Sequence, residues 1–160
     1  MTATTYATTL NCFDGAVQAP ARKYMKRRFR VKNVDPITEP GIEKILAALA
    51  DGSDNPKMKF MRELIKEKLR ISIVYHGSRA LSIAAHHKCL GNSAEKEEKL
   101  EQLVRGKEVI EEMIRELNLD HLEIEKVLLW INERLLPEEV HIPPDGSLST
   151  HERLLEEVTA

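Results

Sequence analysis

The residues best suited to chemistry are Cys12, Cys89 and His86, the histidine lying three positions before the second cysteine in the run His86-His87-Lys88-Cys89. Thiolate sulfur and imidazole nitrogen are the ligands zinc prefers in a tetrahedral site, and a catalytic zinc keeps three protein ligands and leaves its fourth position to water. A histidine three residues before a cysteine can aim both side chains at one point where a strand turns into a loop, and a third ligand from a neighbouring strand end closes the triangle. By spacing alone, the same residues also fit two small buried hydrophobes and a hydrogen-bonded loop histidine, or a redox pair of cysteines. His87 has the ordinary pKa of a proton shuttle, and equally suits an exposed neighbour of a ligand. His76 reads as a helix C-terminal group facing the dipole. His121, His141 and His151 are scattered, and Asp35 and Glu39 are ordinary surface carboxylates. There is no phosphate-binding glycine loop and no serine nucleophile motif.

The elements that would position these groups alternate. Thr4 to Cys12 is Thr-rich with Tyr6 and Leu10 interleaved, which suits a strand ending at Asp14-Gly15. Val17, Ala21, Met25 and Phe29 repeat every four residues on one helix face, with Pro20 expected in the first turn. Val31 to Thr38 predicts a short strand, and Pro36 places it at a sheet edge. Ile42 to Ala50 predicts a short helix, and Pro56 opens another running to about Tyr75, stopped by Gly77. Ala80 to Ala85 is an apolar run of strand length, as in a central parallel strand covered on both faces, and it ends at His86. Asn92 and Glu95 have capping-box spacing for a helix to Leu117. Val127 to Asn132 predicts a strand with Trp130 as a core anchor. After Pro137 come a Pro143-Pro144-Asp145-Gly146 turn and an amphipathic segment, Ser149 to Val158, predicted as a short helix docked on the core or on a partner subunit.

This order predicts an α/β fold: a mostly parallel twisted sheet of four to five strands with helices on both faces. Sites in such sheets lie beyond the carboxyl ends of the strands, where Cys12 and the His86–Cys89 pair both fall. The expected division is one domain over residues 1–140 and a tail over 141–160.

Composition narrows the class. A 160-residue chain with 42% hydrophobic residues supports one core that buries roughly 70% of its unfolded surface, so neither disulfides nor metal are needed merely to fold. Two cysteines without a secretory signal point to a reducing compartment, and a cytoplasmic location is expected. No apolar run approaches the ~20 residues that span a bilayer, so no membrane partner is expected. The net charge is only -2, yet residues 1–92 hold 16 basic and 8 acidic side chains and the remainder 8 and 18. That polarity favours self-association. The run Arg22 to Lys32, with seven cations and no acid, reads as a solvated helix face, and no nucleic acid is expected as partner.

The pieces NCFDGAVQ, ITEPG, HGSRALSIAAHHKCLGN and KVLLWINE, in this order, resemble the small prokaryotic proteins classed as putative carbonic anhydrases, compact relatives of the β-class enzymes. Cys12-Phe13-Asp14-Gly15-Ala16 matches that family's cysteine-x-aspartate-x-arginine motif, and His86-His87-Lys88-Cys89 its histidine-x-x-cysteine motif; the resemblance runs from about Thr9 to Val140. It implies a Rossmann-like β-carbonic-anhydrase fold, zinc on Cys12, His86 and Cys89, and a homodimer or higher homo-oligomer. It further implies reversible hydration of CO2 to bicarbonate, a lyase reaction: zinc lowers the pKa of bound water toward ~7, and the hydroxide attacks CO2. Carbonyl sulfide is a related linear substrate. In the family the motif aspartate, matched by Asp14, accepts a hydrogen bond from that water, and the arginine holds the carboxylate off the metal.

The chain departs from this pattern at Ala16, which occupies the arginine position. Without a guanidinium, Asp14 is expected to lack a tether and to be free to close the site as a fourth ligand, which would leave a non-catalytic zinc-binding or structural relative. Arg70 and Arg79 are the candidates to replace the missing cation. Lys88 stands where relatives carry aspartate, and Ala85 and Leu90 replace smaller residues.

Overall fold

A computed structural model describes residues 4–153. Six strands form one sheet in the order β2-β1-β3-β4-β5-β6. Strands β1 (Tyr6–Asn11), β2 (Asn33–Thr38), β3 (Ala80–His86) and β4 (Glu125–Ile131) run parallel, and β5 (Pro137–His141) and β6 (Ser149–His151) extend the sheet antiparallel. Helix α1 (Gly15–Phe29) covers one face, where Val17, Ala21 and Met25 pack on Ala7 and Ala84. Helices α2 (Ile42–Ala50), α3 (Pro56–Arg70) and α4 (Lys96–Glu116) cover the other, around Leu10, Ile37, Leu81 and Ile83.

Strand β3 is buried at all seven positions because it lies between β1 and β4 with helices above and below, as its unbroken apolar run requires. Strand β2 is the edge. Pro36 pairs only with Thr9 of β1, so its missing N–H costs no ladder bond on the open side. The chain goes from β1 outward to β2, then returns across to β3 on the other side of β1. The crevice between the carboxyl ends of β1 and β3 is therefore the switch point of the sheet.

Several expectations are corrected. The sheet has six strands rather than four to five, because the region after Pro137 adds two antiparallel strands to β4. Ser149–His151, expected to start a helix, is strand β6; its alternating exposure and pairing with β5 outweigh a weak amphipathic pattern, and the rest of the predicted helix beyond Arg153 lies outside the described residues. Pro20 sits within α1 rather than in its first turn, because the helix starts at Gly15. The helix from Pro56 becomes a π-helical turn over Ile71–Tyr75. There Ser72 and His76 both hydrogen-bond Asp35 Oδ2, at 2.6 and 2.7 Å, and His76 stacks on Tyr6.

Candidate metal centre

Cys12 directly follows β1, and His86 is the last residue of the adjacent strand β3. A tight turn over His87 and Lys88, with Lys88 at φ 50°, returns Cys89 to the same crevice. The ligand atoms of Cys12, His86 and Cys89 lie within 4.8 Å of one another, and all three residues are buried. The two sulfurs are 3.6 Å apart. Sulfurs bound at about 2.3 Å to one tetrahedral zinc would stand about 3.8 Å apart, so the pair needs almost no movement to share an ion. Both cysteines are free, and the S···S distance is far beyond a disulfide bond.

His86 completes the donor set. Its Nδ1 donates to the His87 carbonyl at 3.0 Å, which leaves Nε2 with its lone pair, and Nε2 is buried with no hydrogen-bond partner. A buried imidazole nitrogen oriented in this way through its other nitrogen is the usual arrangement of a metal-binding histidine. Burial, followed by the hydrogen bond with Cys12 and the charges of Cys12 and Glu43, pushes the Cys89 thiol up to about 11. A divalent cation is the natural compensation for two thiolates held there.

Backbone packing brings the two cysteine loops together. Gly41, at φ 59°, caps α2 and donates its N–H to Cys12 Sγ at 3.4 Å. A Cβ on Gly91 would stand 2.6 Å from Gly41 N, and one on Gly41 would stand 2.6 Å from Gly91 O. Only paired glycines permit this approach. On the other side, buried Asn11 and half-buried Gln18 clamp the Cys12 carbonyl from Nδ2 at 3.0 Å and Nε2 at 2.7 Å, and Asn11 Nδ2 also donates to Gln18 Oε1 at 2.9 Å.

Asp14 is tethered after all. It is exposed and forms the N-cap of α1, where its Oδ1 accepts from the Ala16 backbone N–H at 2.9 Å. The position without a guanidinium thus holds the carboxylate through its main chain, and Asp14 does not join the three-residue cluster. Neither expected arginine stands in. Arg79 donates to the Ile73 and Ser78 carbonyls at the start of β3, about 20 Å along the strand from His86, and Arg70 is paired with Glu67. Asp35 lies opposite Thr8, about 13 Å along β1 from Cys12.

A cleft of about 740 Å³ opens beside Cys89, lined by His87, Lys88, Asn92, Lys99, Trp130 and Arg134 among others. Trp130 is buried as expected. Lys99, also buried, donates to the His86 carbonyl at 3.2 Å. Asn92 does not cap α4: the N-cap is Glu95, with no side-chain bond, because Asn92 Nδ2 is turned inward to Glu43 and Gln102.

The model of the family described as Putative carbonic anhydrase matches residues 2–141. The chain belongs to that family. The family match covers both cysteine loops and the whole parallel part of the sheet. Two solved β-carbonic anhydrases are more distant likenesses. Isoform I from Trichomonas vaginalis is 16% identical at a TM-score of 0.43, covering 94% of this chain and 84% of its own. CafA from Aspergillus fumigatus is 11% identical at a TM-score of 0.40, covering 91% and 75%. A search of curated protein sequences finds no match.

Proposed function

We propose that this chain is a zinc-dependent carbonic anhydrase-like protein, with Cys12, His86 and Cys89 as ligands and reversible hydration of CO2 to bicarbonate as its reaction. The observation that carries the reading is the convergence of two buried sulfurs and an unpartnered buried imidazole nitrogen at the switch point of the sheet. Zinc held there would supply a Lewis acid able to acidify water near neutral pH. The chain's own groups set the rest. Asn11 and Gln18 fix the Cys12 loop, and the Ala16 N–H occupies one oxygen of Asp14. The second Asp14 oxygen is left to accept a hydrogen bond from the reacting water and orient it.

One observation favours a second reading, a non-catalytic zinc-binding or assembly relative. Asp14 is held by a backbone N–H at an exposed helix start rather than by a guanidinium, and it stands outside the three-residue cluster. On either reading the chain forms a homodimer or higher homo-oligomer, supported by Phe13 and Leu90, which are 69% and 105% exposed beside the two sulfurs. Both readings place it in the cytoplasm, where free thiols persist. No described helix is long and apolar enough to cross a membrane.

Stopped-flow CO2 hydration by zinc-loaded protein separates the two readings. A rate above buffer that rises further in Ala16→Arg supports the enzyme with a weakened site. A rate equal to buffer in the native chain, restored by Ala16→Arg, supports the non-catalytic relative.

A further inference from the structure

Glu43, in the first turn of α2, is 0% exposed. An acid in a first turn is ordinarily a solvated partner of the helix dipole, and full burial removes that explanation. Its Oε1 accepts from Asn92 Nδ2 at 2.8 Å, whereas Oε2 is buried with no hydrogen-bond partner. A buried carboxylate oxygen left unpaired is costly unless a cation compensates it.

The surroundings of Glu43 belong to the metal centre. Two residues earlier, Gly41 donates to Cys12 Sγ. Asn92, which holds Oε1, also closes the turn carrying Cys89, through its backbone N–H to the Cys89 carbonyl at 3.2 Å. Glu43 is therefore bonded to the Cys89 loop and lies two residues from the glycine bonded to Cys12, without being one of the three clustered donors.

We propose that Glu43 is a positioning residue of this centre: a buried carboxylate, held through Oε1 by Asn92, whose charge adds to the pull of the two sulfurs in drawing a divalent cation to the Cys12–His86–Cys89 set. The inference rests on the metal-binding reading above and adds to it a residue outside both cysteine motifs.

The test is zinc affinity of the full chain, measured by competition with a chromophoric chelator, together with the melting temperature of the metal-free protein. Glu43→Gln keeps the acceptor for Asn92 and removes the charge. It is expected to weaken zinc binding about 10- to 100-fold, the range for outer-shell partners of metal ligands, while the metal-free protein melts no lower than wild type. Glu43→Asp, which keeps the charge, is expected to recover most of the affinity. E43Q with wild-type affinity would overturn the inference. So would Gln and Asp variants that lose affinity only in step with a fall in metal-free melting temperature, the mark of a packing role. Wild-type protein that takes up no zinc would overturn this inference and the metal-binding reading together.

Discussion

Replacing Gly91 by alanine adds one methyl group at the contact that joins the two cysteine loops. The new Cβ would meet Gly41 N and Pro40 C at 2.6 Å and Pro40 Cβ at 3.0 Å. The first two are backbone atoms, so no rotamer change relieves the clash, and the loops must part by most of an ångström to reach ordinary contact. Gly41 carries the N–H bonded to Cys12 Sγ, so the displacement separates Cys12 from Cys89 as well. Overpacking of this kind costs about 1–3 kcal/mol, which for a chain of this size lowers the melting temperature by roughly 2–10 °C. Zinc affinity should fall with it. Gly52→Ala is the control: nothing lies within 4 Å of its Cβ, and its cost comes from a φ of 77°, a backbone strain that Gly91 does not share. It should cost about 1 kcal/mol and leave zinc affinity unchanged. Differential scanning fluorimetry and chelator competition read both quantities. Gly91→Ala with wild-type stability and wild-type affinity would refute the claim that this backbone contact sets the ligand geometry.

Asp14 separates capping from chemistry. Asp14→Asn keeps the bond to Ala16 N–H and should unfold within a few tenths of a kcal/mol of wild type, whereas Asp14→Ala should lose about 1 kcal/mol by denaturant titration. If the carboxylate orients water, both variants slow CO2 hydration equally in stopped-flow. On the far side of the molecule, the Arg62 guanidinium, hydrogen-bonded to Glu116 and helped by Lys66, holds the Glu116 carboxyl down to about 2. A depressed carboxylate pKa stabilises the fold above the ordinary value of 4.5, and the effect disappears as pH falls toward 2. Glu116→Gln should thus cost at most about 1 kcal/mol at neutral pH, given the exposure of the pair, with the gap to wild type closing across that acidic window in thermal melts.

The parallel core was legible because its signals are local. The apolar run of β3, the four-residue repeat of α1 and the proline of β2 each allowed one placement, and Cys12 and His86 fell at strand ends that the fold makes neighbours. What stayed hidden depends on partners distant in sequence. Asn92 has the spacing of a cap, and only the packing of α2 against its loop shows that its side chain serves Glu43. Glu43 itself looks like any acid at a helix start until its burial is seen. The tether of Asp14 is a main-chain N–H, which a substitution at Ala16 neither removes nor advertises. The Gly41–Gly91 contact pairs two glycines 50 positions apart, each of which alone reads as a turn. Strands β5 and β6 carry little apolar alternation and are held by the sheet edge they extend.

The central claim is that Cys12, His86 and Cys89 share one metal ion. X-ray absorption at the zinc edge of the purified, zinc-reconstituted chain tests it directly. Near-stoichiometric zinc with two sulfur neighbours at about 2.3 Å and a nitrogen at about 2.0 Å is the predicted spectrum, and it should lose one sulfur in Cys89→Ser. A shell of nitrogen and oxygen alone, or a sulfur count that does not change in Cys12→Ser or Cys89→Ser, would contradict it.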